Sequence, residues 1–231
     1  MLTACVAALL LGGLAAAAWV VGWSGLLVVR EVRVEGAEGR LARQVSAVVD
    51  VAPDTPLARV DTSAVAARVR EVRAVAEVSV RRSWPPALVI EVEPRQPVVA
   101  VAGAGRWRLV DVTGAAFRSV AQRPTATVPL VAGRGPQATP QRAAAAQVVA
   151  GLPATLGEMV ARVVAPTPDD VRLKLSDGSI VRWGSAERSD DKARALLSLR
   201  ALGDGTPVSE FDVSAPDRPT TRSGPAPSDL S

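Results

Sequence analysis

From Leu2 to Val29 the chain carries no charged side chain, and the first charge, Arg30, falls inside a run, Val29 to Val34, that alternates apolar and charged residues as a strand does. A bilayer core of ~30 Å takes about 20 helical residues at 1.5 Å rise. Leu2 to Val21 supplies that number, with Trp19 and Trp23 near one end, where indole rings favour the membrane–water interface. The expectation is a transmembrane anchor over residues 1–26 that holds a folded region against a lipid bilayer. Gly12, Gly13 and Ala15 to Ala18 read as ordinary small residues rather than as a helix-docking face. A cleaved signal peptide would need a basic n-region, and no Lys or Arg precedes the apolar run. Leu2-Thr3-Ala4-Cys5 resembles a lipobox, but it precedes the apolar stretch instead of following it. Charge bias does not orient the helix, because the nearest basic residues, Arg30 and Arg33, lie on one side only.

Chemistry is scarce along the rest of the chain. There are 27 basic and 23 acidic residues, formally +4, with the basic ones spread along the sequence. No Lys/Arg block or aromatic platform points to nucleic acid. There is no His and no Tyr, and the single cysteine, Cys5, lies in the apolar stretch. A His-based triad, a Cys/His zinc site and an internal disulfide are therefore excluded, and no cofactor is expected. The carboxylates that come into question for a wall hydrolase with paired acids are Asp111, Glu158, Asp169, Asp170, Asp177, Asp190, Asp191 and Asp212. Most occupy turn or cap positions, and no pair is bracketed by aromatic sugar-binding residues. These residues describe a binding module and not an enzyme.

Residues 27–95 read as β-α-α-β-β. Val29 to Val34 is a strand ended by Gly36. A helix from about Arg40 to Val51 has Leu41, Val45, Val48 and Val49 at helical spacing. Asp61 or Thr62 caps a second helix with Val65, Val69 and Val72 on one face. Strands come next at Glu77 to Arg82 and Ala87 to Glu93, joined by Ser83-Trp84-Pro85-Pro86. This layout resembles a POTRA domain. Val32-Arg33-Val34-Glu35-Gly36, Pro56-Leu57-Ala58-Arg59-Val60-Asp61, Val78-Ser79-Val80-Arg81-Arg82-Ser83-Trp84-Pro85 and Leu88-Val89-Ile90-Glu91-Val92 together resemble the FtsQ/DivIB family of cell-division proteins. Glu93-Pro94-Arg95-Gln96-Pro97-Val98 is similar to that family's E-R-x-P-V junction, with Pro94 inserted.

Residues 96–214 read as a mostly antiparallel β domain with two helices, so the fold class is α+β behind a single transmembrane helix. Strands are expected at Pro97 to Ala102, Trp107 to Val110, Val160 to Val164, Val171 to Leu175, Ile180 to Trp183 and Val208 to Val213. The helices are Gln141 to Leu152 and Lys192 to Leu202, the latter capped by Asp190. Asp111-Val112-Thr113-Gly114 and Ser176-Asp177-Gly178-Ser179 are turns. Leu109-Val110-Asp111 through Phe117, and Val128 to Gly133, resemble further family motifs. Residues 215–231, polar and Pro-rich, are expected to be a disordered tail.

The resemblance implies a scaffold of the divisome at the septal plasma membrane, single-pass, with a cytoplasmic N-terminus and the bulk of the chain outside. It implies FtsB and FtsL as partners, and docking of FtsW and its transpeptidase, with influence over septal peptidoglycan synthesis. An export-type POTRA module would need further repeats or more strands. The family recruits FtsB through its C-terminal region, which maps onto Val208, Ser209, Glu210, Phe211, Asp212, Val213 and Ser214. Ser214 stands where many relatives have Arg, and Ser185 where some do. A terminal strand has unpaired backbone groups that template a partner strand. The sequence therefore marks Val208 to Val213 as the docking edge, with proline at Ser209 or Glu210 expected to block it.

Overall fold

The computed structural model describes residues 6, 9–14, 28–52, 55–133, 138–202 and 208–224. Residues 6 and 9–14 are helical, and the rest of the expected anchor lies outside the described residues. Among the described residues no helix is long and apolar enough to cross a membrane. The chain folds as two compact units, Met1–Arg95 and Gln96–Ser231.

The first unit runs β1 (Glu31–Glu35), α1 (Gly39–Val48), a 3-10 turn (Leu57–Arg59), α2 (Thr62–Arg70), β2 (Val75–Ser83) and β3 (Ala87–Pro94). Its sheet has the order β1-β3-β2, with β1 parallel and β2 antiparallel to β3. Asp61 starts α2 by accepting from the Ser63 and Ala64 amides, each at 3.0 Å. These are donors that the first helical turn leaves unpaired. Val65 and Val69, one turn apart, are buried with Val45 of α1 against Leu88, Ile90 and Val92 of β3. Gly36 follows β1 at φ 77°, and a Cβ there would sit 2.1 Å from the Val92 carbonyl oxygen. Only glycine lets the chain leave the strand so close to β3.

The second unit contains β4 (Val99–Gly103), β5 (Arg106–Val110), β6 (Ala116–Val120), β7 (Val128–Ala132), α3 (Thr139–Ala150), α4 (Ala154–Gly157), β8 (Val160–Thr167), β9 (Asp170–Leu175), β10 (Ile180–Gly184), α5 (Ser189–Ala201), β11 (Val208–Asp212) and β12 (Thr220–Ser223). They form one nine-stranded sheet ordered β12-β11-β10-β9-β8-β7-β4-β5-β6. The pairs β4/β7, β7/β8 and β10/β11 are parallel and the other five antiparallel.

Register explains how the period-two alternation of each strand becomes a core. Val101, Leu130, Val163, Leu173, Val181 and Phe211 stand side by side across six strands. All six are buried in one cluster with Ala144, Ala145, Ala146 and Val148 of α3 and Ala193 and Leu196 of α5. Trp183 of β10 is fully buried in the same cluster. Its indole Nε1 donates to Ser189 Oγ at 3.2 Å, and that hydroxyl donates to the Ala186 carbonyl at 2.9 Å. The Asp111 turn is closed by its own carboxylate, which accepts from the Thr113 and Ala115 amides at 3.0 Å each. Gly114 lies in that turn at φ 82°, where a Cβ would meet the Thr139 carbonyl at 2.5 Å as α3 begins.

Three expectations change. The helix after β10 begins at Ser189, with Arg188 as its N-cap at φ 54° and no side-chain cap, so Asp190 sits in the first turn instead. The segment expected to be a disordered tail contains a strand, Thr220–Ser223, paired to β11. The strand expected to end the sheet is consequently interior. β11 lies between β10 and β12 because the chain folds back on itself, bringing Thr220 opposite Asp212, and takes up the backbone groups that a terminal strand would leave unpaired.

Removing the Trp183 ring leaves a large cavity and takes from the Ser189 hydroxyl the one donor it accepts from, while its bond to the Ala186 carbonyl remains. Trp183→Ala is expected to lower unfolding free energy by about 3–5 kcal/mol. Trp84 is 74% exposed, and Trp84→Ala is expected to stay within about 0.5 kcal/mol. Urea unfolding of the chain followed by circular dichroism measures both.

Candidate partner-docking edge

The seven residues that the sequence marks for docking occupy β11 and its exit. Ser209, Glu210, Phe211 and Val213 are buried, Val208 and Asp212 are half-buried, and Ser214 is exposed. Phe211 and Val213 belong to the core. Ser214 closes a small turn by donating its amide (3.0 Å) and hydroxyl (2.6 Å) to Asp212 Oδ1. The Val213 amide donates to the Arg182 carbonyl at 3.0 Å. Backbone groups alternate sides along a strand, so those of Phe211 and Val213 face β10, and those of Glu210 and Asp212 face β12. Proline at Ser209 or Glu210 would damage a strand held on both sides, so it does not isolate docking from folding.

The free edge belongs to β12, whose four residues are all exposed. Glu210 and Asp212 face Arg222 and Thr220, and Phe211 faces Thr221. Because Glu210 and Asp212 turn their backbone groups to β12, Arg222 and Thr220 answer them. Thr221 then points its N–H and C=O away from the sheet. Ser209 Oγ adds a bond to the Arg222 carbonyl at 3.0 Å. The opposite edge of the sheet, β6, is treated differently, since the Arg106 guanidinium donates to both the Ser119 hydroxyl and the Ser119 carbonyl at 3.2 Å.

An ion-pair clasp holds the turn that presents β12. Arg188 makes a two-point contact with Asp217, 2.7 and 2.8 Å, and reaches Asp191 at 3.0 Å through Nε. Asp217 lies in the turn between β11 and β12, and Asp191 in the first turn of α5. The hydrogen bonds from Arg188 hold the Asp217 and Asp191 carboxyls below the usual carboxylate range, and the two carboxylates raise Arg188 in return. Beside the clasp, buried Lys192 donates to the Ser185 carbonyl at 2.9 Å, and burial pushes its amine below its usual value. On the sheet face next to β12, Arg182 lies 3.6 Å from Asp212 and 3.9 Å from Glu210, and Arg222 lies 3.3 Å from Glu210. These residues, with Thr220 and Thr221, line a small cleft of about 170 Å³.

The carboxylates weighed for hydrolysis are dispersed. Asp111 is buried within its turn. Asp170 binds Arg172 at 2.9 and 2.7 Å. Asp177 caps Ser179 at 2.9 Å and meets Arg200 at 3.0 Å. Asp191 and Asp212 are occupied as described, and Glu158, Asp169 and Asp190 are exposed. Among the described residues no group of three or more His, Cys, Asp or Glu side chains is placed to hold a metal ion.

Two family models cover these units: the POTRA domain, FtsQ-type, over residues 27–95, and Cell division protein FtsQ/DivIB, C-terminal, over 99–213. The chain belongs to the FtsQ/DivIB family. Proteins named Cell division protein FtsQ are similar along most of it. That of Streptomyces bingchenggensis is 35% identical over 211 residues, covering 87% of this chain and 78% of the relative. That of Streptomyces venezuelae is 34% identical over 230 residues, covering 96% and 82%. That of Mycolicibacterium smegmatis is 35% identical over 197 residues, covering 85% and 58%. The chain thus spans about three fifths of the mycobacterial relatives it matches. Neither β12 nor the role of Arg188 is among the sequence-based expectations. Thr220-Thr221 between Pro219 and Gly224 was the available signal for the strand, since β-branched residues bounded by breakers favour one.

A carboxylate held low in the folded state contributes its stabilisation at neutral pH and loses it as pH falls through the carboxylate range. The Asp191 and Asp217 carboxyls are both held below the ordinary aspartate value, so amide exchange of Thr220–Ser223, relative to β8 and β9 and corrected for intrinsic exchange, should stay flat from about pH 7 to about pH 4.5 and accelerate as pH is lowered from there towards about 2. Arg188→Ala should give fast β12 exchange already at neutral pH and remove most of that pH dependence.

Proposed function

We propose that the chain is a non-enzymatic scaffold of the division machinery, anchored in the plasma membrane by residues 1–26, with its N-terminus in the cytoplasm and both units outside, at the septum. Its second unit recruits an FtsB-like partner and, with it, an FtsL-like one, and so takes part in controlling septal peptidoglycan synthesis. The POTRA unit is the docking site for membrane neighbours of the FtsW and transpeptidase class. The observation that carries the reading is the free edge of β12, an exposed strand with the Thr221 backbone turned outward. A strand added there continues the ladder, with affinity from main-chain hydrogen bonds. Ser185 and Ser214 offer no cationic handle, so backbone pairing bears more of the recognition here.

Proline separates docking from folding at this edge. Thr221→Pro removes an outward donor and leaves the β11 ladder intact, a placement that edge strands tolerate. It is expected to abolish binding of the FtsB-like partner with unchanged circular dichroism, while Thr221→Ala binds normally. Thr220→Pro, which removes an inward donor, is expected to detach β12 itself. Full binding by Thr221→Pro would remove β12 from the docking site.

The topology has its own test. A reporter active only in the cytoplasm, fused after Ser231, is expected to stay silent, and the same reporter fused before Met1 to be active. A signal from the C-terminal fusion reverses the orientation.

A further inference from the structure

The face of the nine-stranded sheet opposite α3 and α5 carries an arrangement that the fold does not call for. Arg162 of β8 stands directly opposite Lys174 of β9, and Arg172 of β9 directly opposite Arg182 of β10. Residues 162 and 164, 172 and 174, and 180 and 182 share this face, because the residues between them point into the core. Like charges directly opposite each other on neighbouring strands destabilise a sheet. Arg172 is compensated by Asp170, and Arg182 lies near Asp212. Arg162 and Lys174 make no hydrogen bond or ion pair with a carboxylate among the described residues, and both are half-buried.

An apolar shelf adjoins the four cations. Val164 lies next to Arg172 in register, and Val131 of β7 next to Val164. Val131 is 50% exposed. Ala102 of β4 and Trp107 of β5, paired to each other, continue the same face. From Trp107 to Arg182 this row crosses five strand spacings, about 24 Å, the length of an α-helix of about 16 residues. The Arg123 guanidinium lies over the Trp107 ring, 6.0 Å from its centre, so the apolar part of the row is its middle, Ala102, Val131 and Val164, and the partner-facing cations lie at the Arg172 and Arg182 end.

We propose that this open face docks an amphipathic helix of a partner protein, with its apolar stripe on Val131 and Val164 and acidic side chains over Arg162, Lys174, Arg172 and Arg182. Charge complementarity selects an acidic partner, and the apolar shelf selects an amphipathic one over a simple polyanion. A membrane surface fits less well, because nothing apolar protrudes and Glu210 and Asp212 extend the same face with negative charge. This surface meets the cleft beside β12 at Arg182, but its centre at Val131, Val164, Arg162 and Lys174 lies strands away from that edge, and it stands whether or not β12 binds a strand.

The experiment places a photoreactive benzoylphenylalanine at position 131 of the full-length chain in cells and sequences the crosslinked peptide by mass spectrometry. The expected adduct is a segment with acidic residues on one side and apolar residues on the other at helical spacing. Arg162→Gln/Lys174→Gln should lower adduct yield by at least about tenfold, while the purified variant melts no lower than the parent, because a cross-strand repulsion has been removed. The charge-conserving swap Arg162→Lys/Lys174→Arg should keep the adduct. An adduct to lipid, to glycan or to a basic or uncharged segment overturns the proposal, as does no adduct. So does a yield that is indifferent to the Gln pair, or one lost equally in the swap.

Discussion

The C-terminal half of the second unit depends on the burial of one indole. Trp183 is the largest fully enclosed side chain among the described residues, and its single polar atom is satisfied by Ser189, the first residue of α5. A buried ring with a matched donor fixes both where β10 stops and where the helix begins. Once α5 is held over the sheet by Ala193 and Leu196, the chain must return on the far side of β10, which makes the β10/β11 pair parallel. β11 then offers its other side to the next segment, and β12 occupies it. The position of the exposed edge is thus a consequence of packing around Trp183.

How much of this is legible in the sequence depends on the range of the interactions involved. Val171, Leu173 and Leu175 alternate, and β9 is where they predict it; Asp61 caps α2 and Asp111 closes a turn because those interactions span two to four residues. β12 is different in kind. Thr220 to Ser223 have no buried face and no alternation, so the strand exists only because β11 presents a ladder to it. Asp190 misleads for a related reason. It has the chemistry of a cap, but the helix entry is set by the contacts of Ser189, and Arg188 takes the left-handed turn that this entry requires. The cation rows are invisible along the chain, since Arg162 and Lys174 become neighbours only through register.

The two sides of the sheet differ in what they present. The helix-covered side is lined by apolar side chains and sets stability. The open side tolerates opposed charges that would be costly in a buried layer, and the terminal strand leaves backbone hydrogen-bonding capacity unused. Neither feature needs a catalytic group, a metal or a cofactor. The chain has no histidine, and its single cysteine lies in the apolar segment.

The interior position of β11 also decides where the second unit ends as a physical object. The family match stops at residue 213, immediately after β11. A fragment cut there would strip β12 and the Asp217 anchor from the sheet and leave Glu210 and Asp212 with backbone groups facing water. Such an edge is an invitation to self-pairing. The smallest piece that keeps the β11 ladder covered runs to Ser223, so a boundary drawn from similarity alone would open a fresh strand edge to aggregation.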